Sequence, residues 1–104
     1  DFYLTIILEA VDELLKREGL SVSDINVVMP PQFSKEFLDE LGRVVGISRD
    51  RFVDLTGDGK DWLTSALPYS IHTIETQRLV KPGDIGLVIN VGSGLQVGCA
   101  IYYF

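Results

Sequence analysis

Apolar and polar positions follow two different periods along this chain, and these periods predict its elements. Apolar residues recur every three or four positions, the spacing of one helical face, over Phe2–Arg17 and Ser34–Val45. Short apolar runs bounded by turn residues occur at Ile25–Met29 and Asp84–Val91, and such runs are typical of buried strands. The chain is therefore predicted to alternate helices with strands.

Three more elements complete this pattern. We predict a short strand at Phe52–Leu55, a third helix at Trp62–Val80 and a last strand at Leu95–Phe104. The first half of the third helix is almost free of charge, so we expect it to be covered on both sides.

The order of these elements indicates an α/β fold in a single domain, residues 1–104. Strands separated by helices favour right-handed crossovers and parallel pairing. The last two strands are joined by a tight glycine-containing loop, Gly92–Gly94, so that pair must be antiparallel. The prediction is a mixed sheet of about four strands with helices on both faces.

Composition narrows the possible functions. The 104 residues are 46% hydrophobic with a formal charge of −6, so either the core is unusually full or one face meets a partner. The basic residues are scattered, which argues against nucleic acid and anionic membranes as partners. A single cysteine, Cys99, favours a reducing cytoplasm, and no apolar run is long enough to span a membrane. No signal peptide is visible. Because the first residue is not Met, we expect either a processed chain or a part of a longer one.

Four local features could be read as functional sites, but each has a simpler structural interpretation. The glycines of Gly92–Gly98 are followed by a strand, whereas a dinucleotide loop needs a helix there, so we favour a hairpin. The oxygen-rich stretch Asp54–Asp61 lacks the spacing of a calcium loop. His72 has no second metal ligand at a suitable spacing, and Cys99 is expected to be a small buried hydrophobe. We expect no metal, no cofactor and no complete active site.

The chain does, however, resemble a known family. Its closing segment "LVKPGDIGLVINVGSGLQVGCAIYYF" is similar to the end of 3-oxoacyl-acyl carrier protein synthase III, one of the thiolase-like condensing enzymes. The segments "LLKREGLSVSDINVVMPPQ" and "LGRVVGISRDRFVDL" resemble the family's helix and strand before a "PHQ" tripeptide, and the helix and strand after it. The resemblance implies a thiolase-like half domain. It also implies the strand order Phe52–Leu55, Ile25–Met29, Ile85–Val91, Leu95–Phe104.

The same resemblance places the candidate site residues. The family's histidine, which helps to bind and decarboxylate the malonyl group, corresponds to Pro31, and the next residue is retained as Gln32. The family's asparagine falls within Gly57–Asp61, with Asp58 near its position. Both family groups donate hydrogen bonds to a developing negative charge, which proline cannot do and aspartate would oppose. The expected substrate-binding residues are Gln32, Gly92 and Gly94.

Two functions remain open at this point. The first is the C-terminal domain of a condensing acyltransferase, inactive alone because the nucleophilic cysteine lies in the other half. Its implied partners are that N-terminal half and thioesters of acyl carrier protein or coenzyme A. The second is a non-catalytic scaffold that binds a partner.

We also expect the isolated chain to form a homo-oligomer, through the third helix or the open edge of the last strand. In that strand a shift at Gly98 is expected to place Cys99 on the face opposite Val97 and Ile101.

Overall fold

The computed structural model describes residues 2–55, 66–91 and 97–104. In these ranges the predicted order of helices and strands is confirmed, except that Phe52–Leu55 does not form a strand. The elements are α1 (Phe2–Glu18), β1 (Val27–Met29), α2 (Lys35–Val45), α3 (Ala66–Thr76), β2 (Ile85–Val91) and β3 (Val97–Tyr103). No helix within these ranges is long and apolar enough to cross a membrane.

Local hydrogen bonds explain where α2 begins and ends. Ser34 lies in extended conformation, and its hydroxyl accepts a hydrogen bond from the backbone N–H of Phe37 at 3.1 Å. At the other end Gly46 adopts a φ of +77°, and its N–H donates to Gly42 O at 3.0 Å. Ser34 and Gly46 therefore cap the two ends of α2.

The third helix, predicted at Trp62–Val80, ends earlier than expected. Its first four residues lie outside the described ranges, and its last helical residue is Thr76. Beyond it Arg78 adopts a left-handed φ of +54°, and Leu79 N donates back to Ile74 O at 3.0 Å. This bond spans five residues instead of the four of an α-helix, and it is typical of a helix C-terminus. The helix therefore does not continue to residue 80.

The sheet has the order β1-β2-β3. β1 is parallel to β2, and β3 is antiparallel to β2, as predicted. The β2–β3 pairing runs without interruption from Ile85↔Tyr103 to Val91↔Val97. The expected shift at Gly98 is therefore wrong, and Cys99 lies on the same face as Val97 because no extra residue interrupts the alternation.

The predicted fourth strand, Phe52–Leu55, is reduced to a single parallel bridge between Val28 and Phe52. A backbone bond of this bridge joins Val53 N to Val28 O at 2.9 Å. The next bond of a parallel ladder would need the N–H of residue 30, which is a proline and has none. The described sheet thus has three strands, with this segment alongside the first.

Helices cover both faces of the sheet, as predicted. α1 and α2 pack on one face, and α3 packs on the other. The core on the α1 and α2 face includes Ile7, Val11, Val28, Leu41, Leu87 and Ile89. The core on the α3 face includes Val27, Met29, Val53, Leu55, Ile74 and Val88. Burying each such side chain contributes about 1.5–3 kcal/mol, which makes both faces of the short β1 strand strongly anchored.

Candidate active site

The loop that follows β1 is apolar at the positions where catalytic side chains are expected. β1 ends at Met29, and both Pro30 and Pro31 are buried. In open α/β sheets, ligands bind outside the carboxyl ends of the parallel strands, which is where this loop lies. Neither proline has an N–H or a titratable group, so this loop offers no proton donor before Gln32.

Gln32 is half-buried, and its carboxamide spans the gap between this loop and the segment Phe52–Leu55. Its Nε2 donates to Val53 O at 2.9 Å and to Pro30 O at 3.3 Å. Its Oε1 accepts from Leu55 N at 2.8 Å. Both N–H groups of the amide are therefore engaged by backbone carbonyls, and the oxygen has one remaining lone pair.

A group of ion pairs ties the same segment to the start of α2. Asp54 Oδ2 accepts from Lys35 Nζ at 3.0 Å and from Arg49 Nη2 at 2.8 Å. Arg49 Nε also donates to Asp39 Oδ1 at 2.9 Å. Lys35 and Asp39 are exposed, whereas Asp54 and Arg49 are partly buried. An exposed ion pair contributes about 0–1 kcal/mol, so the main effect of these pairs is to orient the segment. Sequence reasoning missed this group because Lys35 is 19 residues from Asp54 and Arg49 is ten from Asp39, so no local spacing indicates these pairs.

The structure brings together only part of the predicted site. Gln32 lies against the segment that leads towards residue 56, and Pro31 is its buried neighbour in the chain. Asp58, Gly92 and Gly94 fall outside the described residues, so their predicted roles stay predictions. The substrate-binding role predicted for Gln32 likewise stays a prediction.

The remaining reactive side chains lie elsewhere. Cys99 packs against α1, where its Sγ donates to Ala10 O at 3.4 Å, and burial raises the pKa of its thiol. A neutral thiol is a poor nucleophile. His72 is exposed on α3. In the described ranges no three His, Cys, Asp or Glu side chains are grouped to hold a metal ion.

Residues 15–104 match the family model described as "3-Oxoacyl-[acyl-carrier-protein (ACP)] synthase III C terminal". The chain belongs to this family. The family match confirms the resemblance to 3-oxoacyl-acyl carrier protein synthase III that the sequence motifs indicate, and it covers nearly the whole sequence. The matched residues include the loop after β1 and the two closing strands, β2 and β3.

Individual members of this synthase III family are distant in sequence. The chain is similar to beta-ketoacyl-[acyl-carrier-protein] synthase III of Rickettsia bellii, with 25% identity over 93 residues, covering 89% of this chain and 29% of the relative. It is similar to the Clostridium perfringens protein of the same name, with 24% identity over 100 residues, covering 96% of this chain and 31% of the relative.

The fold agrees with solved structures of the family. The crystal structure of 3-oxoacyl-[acyl-carrier-protein] synthase III from Aquifex aeolicus superposes with a TM-score of 0.90 at 20% identity. The match covers 97% of this chain and 33% of that one. The thiolase-like half-domain fold is therefore shown. The chain spans about three tenths of the length of the curated relatives it matches.

Proposed function

We propose that this chain is the C-terminal half of an acyltransferase of the synthase III type, inactive without its N-terminal half. The observation that carries the proposal is the family match over residues 15–104, combined with the short coverage of the relatives. The relatives' names include an acyl carrier protein, so the proposed substrates are thioesters of acyl carrier protein or coenzyme A. The proposed location is the cytoplasm, where a free thiol such as Cys99 stays reduced.

In the proposed enzyme, the missing half supplies the cysteine nucleophile. Its thiolate attacks the carbonyl carbon of an acyl thioester, the bond to the carrier sulfur breaks, and the released carrier thiolate takes up a proton. This half would contribute the loop Pro30–Gln32 and the residues around Asp58. We expect these segments to face the acyl group, by the family resemblance.

The decarboxylation step is the one that we expect to be impaired. During it, negative charge develops on the thioester oxygen, and a hydrogen-bond donor in that position is worth about 10²–10³ in rate. Pro31 cannot donate, and Asp58 would oppose the charge if it lies beside the oxygen. The enzyme is therefore proposed to be a divergent member that transfers acyl groups but decarboxylates malonyl thioesters slowly.

The second candidate is a non-catalytic scaffold. It is favoured by one specific observation, the loop after β1, in which both prolines are buried and both N–H groups of Gln32 are engaged by backbone. A half domain of this kind keeps its fold and can bind a partner without turning over a thioester.

Acylation of the natural protein that contains this chain separates the two functions. The protein is incubated with an acyl-coenzyme A, and its mass is measured before and after treatment with hydroxylamine, which cleaves thioesters. An acyltransferase gains the mass of one acyl group, labile to hydroxylamine, on a cysteine upstream of residue 1. An unchanged mass would instead support the scaffold.

A substitution tests the role proposed for position 31. Pro31→His restores a donor at the family's histidine position, so we expect it to raise malonyl decarboxylation by about tenfold or more. The buried Pro30→His change beside it serves as the matched control, and we expect no gain from it. Equal rates for wild type and Pro31→His would contradict the proposed cause of the impairment.

A further inference from the structure

The segment Phe52–Leu55 lies beside β1, yet only one residue of it forms a bridge. From the bond between Val53 N and Val28 O, a parallel ladder would continue with two further bonds. The first would run from the N–H of residue 30 to Val53 O. The second would run from Leu55 N to Pro30 O. Pro30 removes the first donor, so the ladder cannot continue through the backbone.

The side chain of Gln32 supplies what the proline removes. Its Nε2 reaches Val53 O at 2.9 Å, where the missing N–H would have donated. Its Oε1 accepts from Leu55 N at 2.8 Å, in place of the carbonyl oxygen of Pro30. That carbonyl is satisfied in turn by the same Nε2 at 3.3 Å. One carboxamide thus takes the place of a peptide group between the two segments.

We infer that Gln32 is a positioning residue, whose carboxamide replaces the missing N–H of Pro30 and holds the segment Phe52–Leu55 in register with β1. Gln32 connects the two parts of the proposed site. It follows Pro31 in the chain, and the segment that it holds leads towards Asp58. The catalytic part of this inference rests on the proposed function. The geometric part does not.

The inference also gives Gln32 a different task from the predicted contact with substrate. A group that binds a thioester oxygen must have a free donor, and both N–H groups of this amide are engaged by Val53 O and Pro30 O. The amide is also fixed from three sides, which limits its rotation towards a ligand. Its place in the loop is consistent with organising the site rather than contacting the reacting atoms.

Hydrogen exchange of the purified chain, without substrate, tests the geometric part. In Gln32→Ala, the amide of Leu55 is expected to exchange at least about tenfold faster than in wild type, relative to the amide of Leu87 in the core of β2. Loss of a substrate-binding group alone would leave Leu55 unchanged. An unchanged Leu55 amide would therefore overturn the inference.

Gln32→Glu provides a second test that does not depend on how well the alanine variant folds. At pH 7 the carboxylate has no donor for Val53 O or Pro30 O and is repelled by both carbonyl oxygens, so it cannot stay in place to accept from Leu55 N. The protonated acid has one O–H donor and one acceptor oxygen. We expect the protection of Leu55 to be low at pH 7 and to recover towards the wild-type value near pH 4. The exposed Gln77→Glu change adds the same charge and should show no recovery. Equal pH profiles for the two variants would contradict the inference.

Kinetics of the natural protein that contains the chain test the catalytic part. A positioning residue predicts that Gln32→Ala lowers kcat by about tenfold or more while KM changes less than about twofold. A rise in KM with kcat unchanged would overturn the positioning role in favour of substrate contact. If wild type itself transfers no acyl group, the proposed function fails, and the exchange experiments still decide the geometry.

Discussion

The hydroxyl of Ser34 accepts a hydrogen bond from the backbone N–H of Phe37 at 3.1 Å, and this bond fixes the start of α2 three residues after Gln32. The helix in turn carries Lys35, which pairs with Asp54 at 3.0 Å. The first turn of α2 is thereby tied to the segment Phe52–Leu55.

Ser34→Ala is expected to lower the free energy of unfolding by about 1 kcal/mol, because the N–H of Phe37 loses its partner. Urea unfolding followed by circular dichroism measures the change. Ser34→Asp should stay close to wild type, since aspartate also caps helices. Ser48→Ala, at a position whose side chain makes no cap bond, should change stability by less than about 0.5 kcal/mol. Equal losses at positions 34 and 48 would contradict the assigned cap.

Ser70 is a buried hydroxyl of α3 whose Oγ has no hydrogen-bond partner within the described part of the chain. Leaving such a group unsatisfied costs about 1–3 kcal/mol. Ser70→Ala is therefore expected to raise the free energy of unfolding by about 1 kcal/mol or more. Helix propensity alone accounts for about half of that at most. A stability loss on this substitution would mean that the hydroxyl is satisfied.

Burial raises the pKa of the Cys99 thiol, and this shift predicts a pH dependence. A raised pKa in the folded state means that the stability due to the neutral thiol is present below the unfolded pKa of about 8.5. As the pH rises above that value, the unfolded chain ionises first, so the free energy of unfolding should fall.

Thermal unfolding between pH 7 and pH 10 measures this effect, with Cys99→Ala as the control. The alanine variant lacks the thiol and should fall less steeply over the same range. Ellman's reagent should also label wild-type Cys99 slowly at pH 8 and quickly in urea. Rapid labelling of the folded chain would contradict the burial of the thiol against α1.

β3 is an edge strand of the described sheet, and it exposes 59% of Tyr103. Unpaired backbone groups on such an edge can pair with another chain, so we expect the isolated chain to self-associate at micromolar concentration. Sedimentation velocity is the measurement. Tyr103→Lys should shift the chain towards monomer, because a lysine on an edge strand opposes pairing.

Leu79→Lys is the matched control, since Leu79 is 53% exposed and lies outside the strand. It should leave the sedimentation profile unchanged. A wild-type chain that is monomeric throughout the micromolar range would contradict the expected homo-oligomer.

The periodicity of apolar residues was sufficient to predict the helices, and the connections between elements predicted the pairing directions and the two covered faces. These sequence patterns failed where the backbone of a single residue ends an element. Pro30 stops the ladder before a fourth strand can form, and the left-handed Arg78 ends α3 four residues early. An arginine there has no sequence signal comparable to that of Gly46.

The site was predictable only in part. The resemblance identified position 31 and Gln32, but the bonds from Gln32 to Val53 and Leu55 join residues more than twenty positions apart. Periodicity carries no information about such contacts. The one available signal was chemical: a proline at the end of a strand leaves a neighbouring carbonyl without a donor, and an amide side chain two residues later can provide one.

The central claim is that this chain is one half of a condensing-type enzyme and lacks both the nucleophile and the donor at position 31. Incubation of the purified chain with malonyl and acyl thioesters tests it most directly, with a complete 3-oxoacyl synthase III as the positive control. The account predicts 3-oxoacyl product at the background level from the chain and well above background from the control. Product above background from the chain, abolished by heating, would contradict it.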